Sequence, residues 1–192
     1  MKSICVFCGS SIGASDSYRD AAAALGELLA NRGIRLVYGG GKVGLMGVVA
    51  DAALRAGGEV LGIIPESLML KEVGHGSLTE LVVTRSMHER KAKMEAAAEG
   101  FIALPGGFGT FDELCEILTW AQLGIHRKPI GLLNTGGFFD QLTGFFDFVS
   151  GQGFIRPDHR ALLLEDPSPD LLLDRLAAWE PTTVAKWATA AD

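Results

Sequence analysis

The sequence predicts a single α/β domain, built on a doubly wound, mostly parallel, Rossmann-like sheet with helices on both faces. Short apolar runs alternate from end to end with longer stretches in which apolar residues recur at helical spacing. Most of the short runs are apolar on both faces, as expected for parallel strands that helices cover on each side. Ligands bind such sheets at the carboxyl ends of the strands, so the segments that follow each strand are the places to look for function.

Seven short apolar runs are the candidate strands, with a helical stretch or a turn between each one and the next. They cover residues 3–7, 35–38, 59–64, 80–84, 100–104, 129–133 and 161–164. Helices are predicted between them from apolar stripes, which begin at Ala21, Leu45, Leu114 and Phe138. Gly33 and Gly57 stand where helix C-caps are expected.

The end of the domain is marked by a change of pattern. Residues 165–169 contain two prolines and precede a last predicted helix at residues 170–178. We therefore expect the α/β domain to cover residues 1–180, and residues 181–192 to form a tail.

Composition and charge exclude several function classes. The chain has 192 residues, with 17 basic and 23 acidic side chains. This net charge of −6, without a dense basic cluster, argues against a nucleic-acid partner. No uncharged apolar run is long enough to cross a membrane, and the first residues do not resemble a signal peptide. We expect a cytoplasmic protein with no membrane partner.

Glycine is unusually abundant: it supplies 25 of the 192 residues, nearly twice the average share of about 7%. There is no collagen-like period, and the hydrophobic fraction of 48% is too high for a disordered chain. We therefore expect these glycines to stand at positions of a packed protein where the local backbone requires them.

The pair Cys5 and Cys8 has the spacing of some redox and zinc motifs. Both residues lie in or just after a predicted strand, where this odd separation points the side chains to opposite faces. Cys115 is the only other cysteine in the chain. We expect buried structural thiols and neither a metal site nor a cofactor.

The segment Gly39-Gly40-Gly41-Lys42-Val43-Gly44 follows a predicted strand and matches G-x-G-x-x-G. Such glycines let the backbone approach a phosphate closely at a helix N-terminus. The acidic residue of a dinucleotide fingerprint is not well placed, and Lys42 is not followed by Ser or Thr as in a Walker A loop. A phosphate site and a tight packing turn both remain open for this segment.

The segment from Pro105 to Glu113 also lies at a strand end and opens a helix. Its three glycines free the backbone to curl amide groups around an anion. Thr110-x-x-Glu113 also fits a capping box, in which Glu113 would fold back on the cap residue. Alternatively, a Glu113 carboxylate beside a phosphosugar could orient hydroxyls, position a water or stabilise a cationic sugar.

Helical spacing places Met87, Arg90, Lys91 and Met94 on one face of the helix that follows strand 80–84. Two cations near a strand's carboxyl end would suit a phosphate. The alternative is a solvated basic face whose aliphatic stems lie on apolar surface.

Taken together, Arg90-Lys91 and Pro105-Gly106-Gly107-x-Gly109-Thr110-x-x-Glu113 resemble the signature of the Lonely Guy (LOG) family of cytokinin riboside 5′-monophosphate phosphoribohydrolases. The resemblance extends over roughly residues 3–165 and includes Cys8-Gly9-Ser10, Tyr38-Gly39-Gly40-Gly41 and residues 86–91 and 101–134. Asp112 departs from the Glu that is common in the family.

The resemblance implies hydrolysis of the N-glycosidic bond of an N6-modified adenosine 5′-monophosphate, with Arg90 and Glu113 as the catalytic pair. It implies no cofactor, and a homodimer or larger oligomer whose site lies close to a subunit interface; a dimer is expected here. The substrate-binding positions that it implies are Glu72, Lys91, Gly107, Phe108, Gly109, Thr110, Phe111, Asp112 and Thr119, joined with less motif support by Gly9, Ser10, Gly40, Gly41 and Met87.

Two other functions are compatible with the same residues. The pocket could bind or carry a nucleotide or a phosphorylated cofactor without cleaving it, or Gly39–Gly44 could serve a dinucleotide-dependent oxidoreductase. Proteins with this signature have also been labelled lysine decarboxylases. That chemistry uses pyridoxal phosphate on a lysine, and no lysine here stands in a context that marks it for the role.

Overall fold

The computed structural model describes residues 1–69 and 74–181. Glu72 and the tail from residue 182 onward lie outside the described residues. The described residues form seven strands: β1 (Ser3–Phe7), β2 (Arg35–Tyr38), β3 (Val60–Pro65), β4 (Glu80–Thr84), β5 (Phe101–Ala103), β6 (Ile130–Leu133) and β7 (Leu163–Asp166). The helices are α1 (Asp16–Asn31), α2 (Gly44–Arg55), α3 (Glu66–Met69), α4 (Met87–Ala97), α5 (Phe108–Gln122), α6 (Asp140–Gly151), α7 (Pro157–Arg160) and α8 (Pro169–Ala177).

All seven strands form one parallel sheet in the order β4-β3-β2-β1-β5-β6-β7. The chain builds outward from β1 to β4, then returns to add β5 on the other side of β1. The carboxyl ends of β1 and β5 therefore flank the point where the strand order reverses, and such a crevice is where open α/β sheets bind ligands. The predicted fold class is confirmed, and the sheet is parallel throughout.

The helices cover both faces of the sheet. Residues of α1, α2 and α8 form a core with one face of the strands, and residues of α4 and α5 form a second core with the other face. Cys8 belongs to the first core and Cys5 to the second, which confirms that their side chains point to opposite faces. Both are buried free thiols.

The sequence placed the last strand two residues too early. The predicted run begins at Ala161, whereas β7 begins at Leu163 because the short helix α7 and a turn occupy the preceding residues. Leu162 and Leu163 are both buried, which explains why the apolar run alone could not distinguish the turn from the strand.

Within the two described stretches of the chain, no helix combines the length and apolar character needed to cross a bilayer.

Candidate functional site

A cavity of about 270 Å³ opens at the carboxyl ends of β1, β2 and β5. It lies at the predicted edge of the sheet, beside the point where the strand order reverses. Its lining comes from five parts of the chain: Val6, Cys8, Gly9, Ser10, Gly39, Met46, Leu68, Met87, Arg90, Gly107, Phe108, Gly109, Thr110 and Glu113.

Arg90 reaches this cavity from the first turns of α4. The helix begins at Met87 because the Ser86 side chain caps it, accepting a hydrogen bond from the Glu89 N–H at 3.2 Å. The side chain of Arg90 is buried, and its Nε donates to the carbonyl oxygen of Ile63 at 3.0 Å. A buried guanidinium needs such partners, since an unpaired charge in the interior is very costly.

Glu113 faces Arg90 from α5, the neighbouring helix on the same face of the sheet. Its Oε1 lies 3.3 Å from Nη1 of Arg90, and the residue is only 9% exposed. The pair brings a buried carboxylate and a buried cation together in one cavity. Such an arrangement is typical of charged groups that act on a bound ligand, or that position one another to act on it.

The capping-box interpretation of Thr110 and Glu113 is wrong. The N-cap of α5 is Gly107, and no side chain in the described part of the chain caps this helix. Because the helix starts three residues earlier than a Thr110 cap would require, both Thr110 and Glu113 lie inside it. The Glu113 side chain is thereby turned toward Arg90 rather than toward the helix end.

The uncapped start of α5 forms the floor of the cavity. The first backbone bond of this helix runs from Phe111 N–H to the Gly107 carbonyl oxygen at 3.1 Å. The N–H groups of Phe108, Gly109 and Thr110 precede it and have no partner within the helix. Among the described residues, no atom beyond the adjoining backbone lies within 4 Å of the position a Cβ would take at Gly107 or Gly109, so this loop has room for an anion.

The glycines of Gly39–Gly44 make close backbone packing possible. Gly44 has φ +61°, and a Cβ there would overlap the backbone of Ser10. The N–H of Leu45, in the first turn of α2, donates to the Gly9 carbonyl oxygen at 3.0 Å. The start of α2 is therefore occupied by the β1–α1 loop, and the tight-turn alternative describes the observed contacts.

Several predicted substrate residues lie outside the cavity lining. Lys91 Nζ pairs with Asp112 at 3.1 Å and with Glu116 at 2.9 Å, which links α4 to α5. Partial burial alone would lower the pKa of Lys91, but these two carboxylates raise it above its ordinary value. Phe111 packs at the margin of the second core. The substrate roles of these residues stay predictions.

Three further predicted positions are also elsewhere. Thr119 lines a separate groove of about 150 Å³, where its hydroxyl donates to the Cys115 carbonyl oxygen at 2.7 Å. Gly40 turns the chain against β3 with φ +77°, and Gly41 forms an isolated bridge with Gly74. Their roles, too, remain predictions.

Sequence reasoning missed part of the lining. Met46 and Leu68 supply an apolar wall together with the predicted residue Met87. Leu68 belongs to α3, which directly follows β3, so its position at a strand end was the available signal. Cys8 also reaches the cavity. Burial and then the nearby Glu113 carboxylate raise the pKa of its thiol, against the opposing effect of Arg90, so the thiol is neutral.

Within residues 1–69 and 74–181, no group of three or more His, Cys, Asp and Glu side chains is arranged to hold a metal ion.

Comparisons with known proteins place the chain in a well-populated group. Residues 46–176 match a family model described as "Possible lysine decarboxylase". The chain is 50% identical over 180 residues to the cytokinin riboside 5′-monophosphate phosphoribohydrolase LOG7 of Arabidopsis thaliana, a match that covers 94% of this chain and 83% of that protein. It is also 50% identical over 178 residues to the enzyme LOG of Oryza sativa subsp. japonica, covering 93% and 74% of the two chains.

Among solved structures, the molybdenum cofactor carrier protein of Chlamydomonas reinhardtii has a similar fold. The TM-score is 0.71 with 20% sequence identity, and the match covers 93% of this chain and 99% of that one. At this identity the likeness concerns the fold alone.

Proposed function

The chain belongs to the Lonely Guy family of cytokinin riboside 5′-monophosphate phosphoribohydrolases, and we propose that it hydrolyses the N-glycosidic bond of N6-modified adenosine 5′-monophosphates. The products are the free base and ribose 5-phosphate. The single observation that carries the proposal is the buried Arg90–Glu113 pair, which faces the same cavity as the uncapped N-terminus of α5.

The chemistry of the bond explains why these groups suit it. Breaking the bond between C1′ and the purine nitrogen builds positive charge on the ribose, as in oxocarbenium-like glycoside hydrolysis. A carboxylate at Glu113 can stabilise that charge or accept a proton from the attacking water. The water oxygen bonds to C1′, the bonding electron pair leaves with the base, and a proton ends on the departing purine.

The charge distribution of the cavity suits the rest of the substrate. The Phe108, Gly109 and Thr110 N–H groups at the start of α5 would hold the 5′-phosphate, because a helix N-terminus favours an anion. Arg90 would then hold the phosphate or offset charge on the departing base. The apolar wall of Met46, Leu68 and Met87 supports a base that carries an apolar N6 substituent.

Lysine decarboxylation finds no support in these residues. Pyridoxal phosphate chemistry requires a lysine to form the Schiff base. None of the described residues that line the cavity is a lysine, and the nearby Lys91 is held between Asp112 and Glu116.

We further propose that the protein is a cytoplasmic homodimer. Its free cysteines are typical of a reducing compartment. Two aromatic side chains on or shortly after α6 are largely exposed, Phe148 at 60% and Phe154 at 83%. Exposed apolar surface of this kind marks interaction sites. Sedimentation should give a dimer, and Phe148→Glu should yield a monomer.

The activity is tested by incubating the protein with N6-isopentenyl-AMP and, separately, with AMP. We expect release of the free base and ribose 5-phosphate, with the higher kcat/KM for the prenylated nucleotide. The fold is shared with a molybdenum cofactor carrier protein, and a carrier would give a different result: thermal stabilisation by the nucleotides with no base released. That outcome, found with several N6 substituents, would overturn the proposal.

A further inference from the structure

Gly39 is the first residue after β2, and it lies directly against the guanidinium group of Arg90. A Cβ at this position would lie well under 3.0 Å from Nη2 of Arg90, closer than real Cβ atoms approach another heavy atom. It would also lie 3.4 Å from Cζ of Arg90 and 3.3 Å from Sδ of Met46. The space that a side chain would fill at Gly39 is thus the space that the guanidinium occupies.

Backbone conformation does not account for a glycine here. Gly40 and Gly44 have positive φ angles, which favour glycine, whereas Gly39 does not. An alanine could therefore adopt the same backbone at this position. The severe obstacle to a methyl group is the head of the Arg90 side chain.

The Arg90 head has little freedom to give way. Its Nε donates to the Ile63 carbonyl oxygen at 3.0 Å, and its Nη1 lies 3.3 Å from Glu113 Oε1. The residue is 7% exposed, so the surrounding protein encloses it. A methyl group at Gly39 would press on the third side of this group and push it out of its contacts with β3 and α5.

We infer that Gly39 is a positioning residue for Arg90. Because Gly39 has no side chain, it leaves the space in which the guanidinium group is held opposite Glu113. The inference gives part of the Gly39–Gly44 segment a role that involves no phosphate. The effect of Gly39 on catalysis rests on the proposed function, whereas its effect on the position of the Arg90 guanidinium does not.

Gly39→Ala tests the inference first by activity. The far end of an arginine can move without unfolding the protein, so the thermal midpoint should stay within about 4 °C of wild type. A displacement of roughly 1 Å in a catalytic group can cost about 100-fold in rate, and we expect a loss of that size in kcat/KM for N6-isopentenyl-AMP. Gly76→Ala is the matched control, since no atom of residues 1–69 or 74–181 outside its immediate chain neighbours lies within 4 Å of its Cβ position and its φ is not positive.

A double-mutant cycle separates positioning from other effects of the methyl group. If Gly39 acts through Arg90, then Gly39→Ala should change kcat/KM less than about twofold in the Arg90→Ala background. If its effect instead multiplies with that of Arg90→Ala, the methyl group acts on the substrate or on the fold directly, and the inference is wrong.

A second readout does not depend on turnover. The Nε–H of Arg90 should give a distinct ¹⁵N–¹H resonance, identified by its absence in Arg90→Lys. We expect this resonance to shift in Gly39→Ala and to stay in place in Gly76→Ala. An unshifted resonance in Gly39→Ala would overturn the inference even if the protein had no hydrolase activity, and a shifted one would support it in that case.

Discussion

Nη1 of Arg90 lies 3.3 Å from Oε1 of Glu113, inside the protein and between two neighbouring helices. Each group compensates the charge of the other, which lowers the cost of burying both. The same contact holds the two side chains in the lining of the cavity at the carboxyl ends of β1, β2 and β5. A structural ion pair and a pair poised to act on a ligand share this geometry, and the activity of Glu113→Gln separates them.

The uncapped start of α5 predicts that the 5′-phosphate of the substrate is required. Loss of the phosphate removes its interaction with the helix N-terminus and its charge-assisted hydrogen bonds, so kcat/KM for N6-isopentenyladenosine should be about 100-fold lower than for the monophosphate. Parallel assays of the two compounds measure this. Equal turnover would mean that the Gly107–Thr110 loop does not bind the phosphate.

The packing around Gly26 predicts that Gly26→Ala destabilises the protein, although helix propensity alone would favour alanine. In an exposed helix, replacing Gly by Ala stabilises by up to about 1 kcal/mol. A Cβ at Gly26 of α1 would instead overlap the Val49 carbonyl oxygen of α2. We expect Gly26→Ala to lower the free energy of unfolding by about 1–3 kcal/mol.

Gly144→Ala is the control for that measurement, because Gly144 lies in α6, is exposed and has no described residue within 4 Å of its Cβ position outside the backbone of its own helix. This variant should be as stable as wild type or more so in urea denaturation. Equal effects of the two substitutions would contradict the close packing of α1 on α2.

His126 predicts a loss of stability in mild acid. Burial lowers its pKa below 6.5, although its hydrogen bond with the Ile117 carbonyl oxygen at 2.9 Å opposes the shift. Its Nδ1 accepts from the Lys128 N–H at 3.2 Å, a bond that protonation would break. The unfolded chain therefore binds this proton more readily, so the contribution to stability is complete above pH 6.5 and is lost as the pH falls below it.

An NMR titration of the imidazole C–H resonances measures this directly. We expect a midpoint for His126 below 6.5, and a midpoint at or above that value would contradict its burial.

The three cysteines predict a simple count of reactive thiols. Burial raises the pKa of Cys5 and Cys8, and the Glu113 carboxylate adds to the effect. Cys115 is exposed, although partial burial and then Asp112 raise the pKa of this thiol as well. Ellman's reagent should titrate one thiol slowly in the native protein and three in urea. Rapid reaction of more than one native thiol would contradict the packing of β1.

The sequence was sufficient for the fold because both faces of the sheet are buried. Strands such as Ser3–Phe7 and Ile130–Leu133 are buried along their whole length and consist almost entirely of apolar residues or glycine, and this pattern indicates parallel strands between helices. The ends of the strands were harder to predict from the sequence. Leu162 lies in a turn but is buried and apolar like the residues of β7, so the predicted start of this strand was too early.

The site could be predicted only in part. Spacing brings Arg90 and Lys91 equally close to a ligand, but neighbouring positions on a helix point in different directions, and only Arg90 enters the cavity. The contact with Glu113 depends on how α4 and α5 pack on the same sheet face, which no local pattern contains. The capping-box pattern was misleading because Gly107, rather than Thr110, is the N-cap of the helix.

The central claim is that the Glu113 carboxylate acts on the substrate rather than serving only as an ion-pair partner, and Glu113→Gln tests it most directly. Glutamine keeps the volume of the side chain and removes its charge. We predict a fall in kcat for N6-isopentenyl-AMP of at least about 100-fold, with the dissociation constant for AMP changed only a few-fold. Glu95→Gln, which alters an ion-paired glutamate outside the cavity, should retain full activity. A Glu113→Gln enzyme whose kcat stays within twofold of wild type would contradict the account.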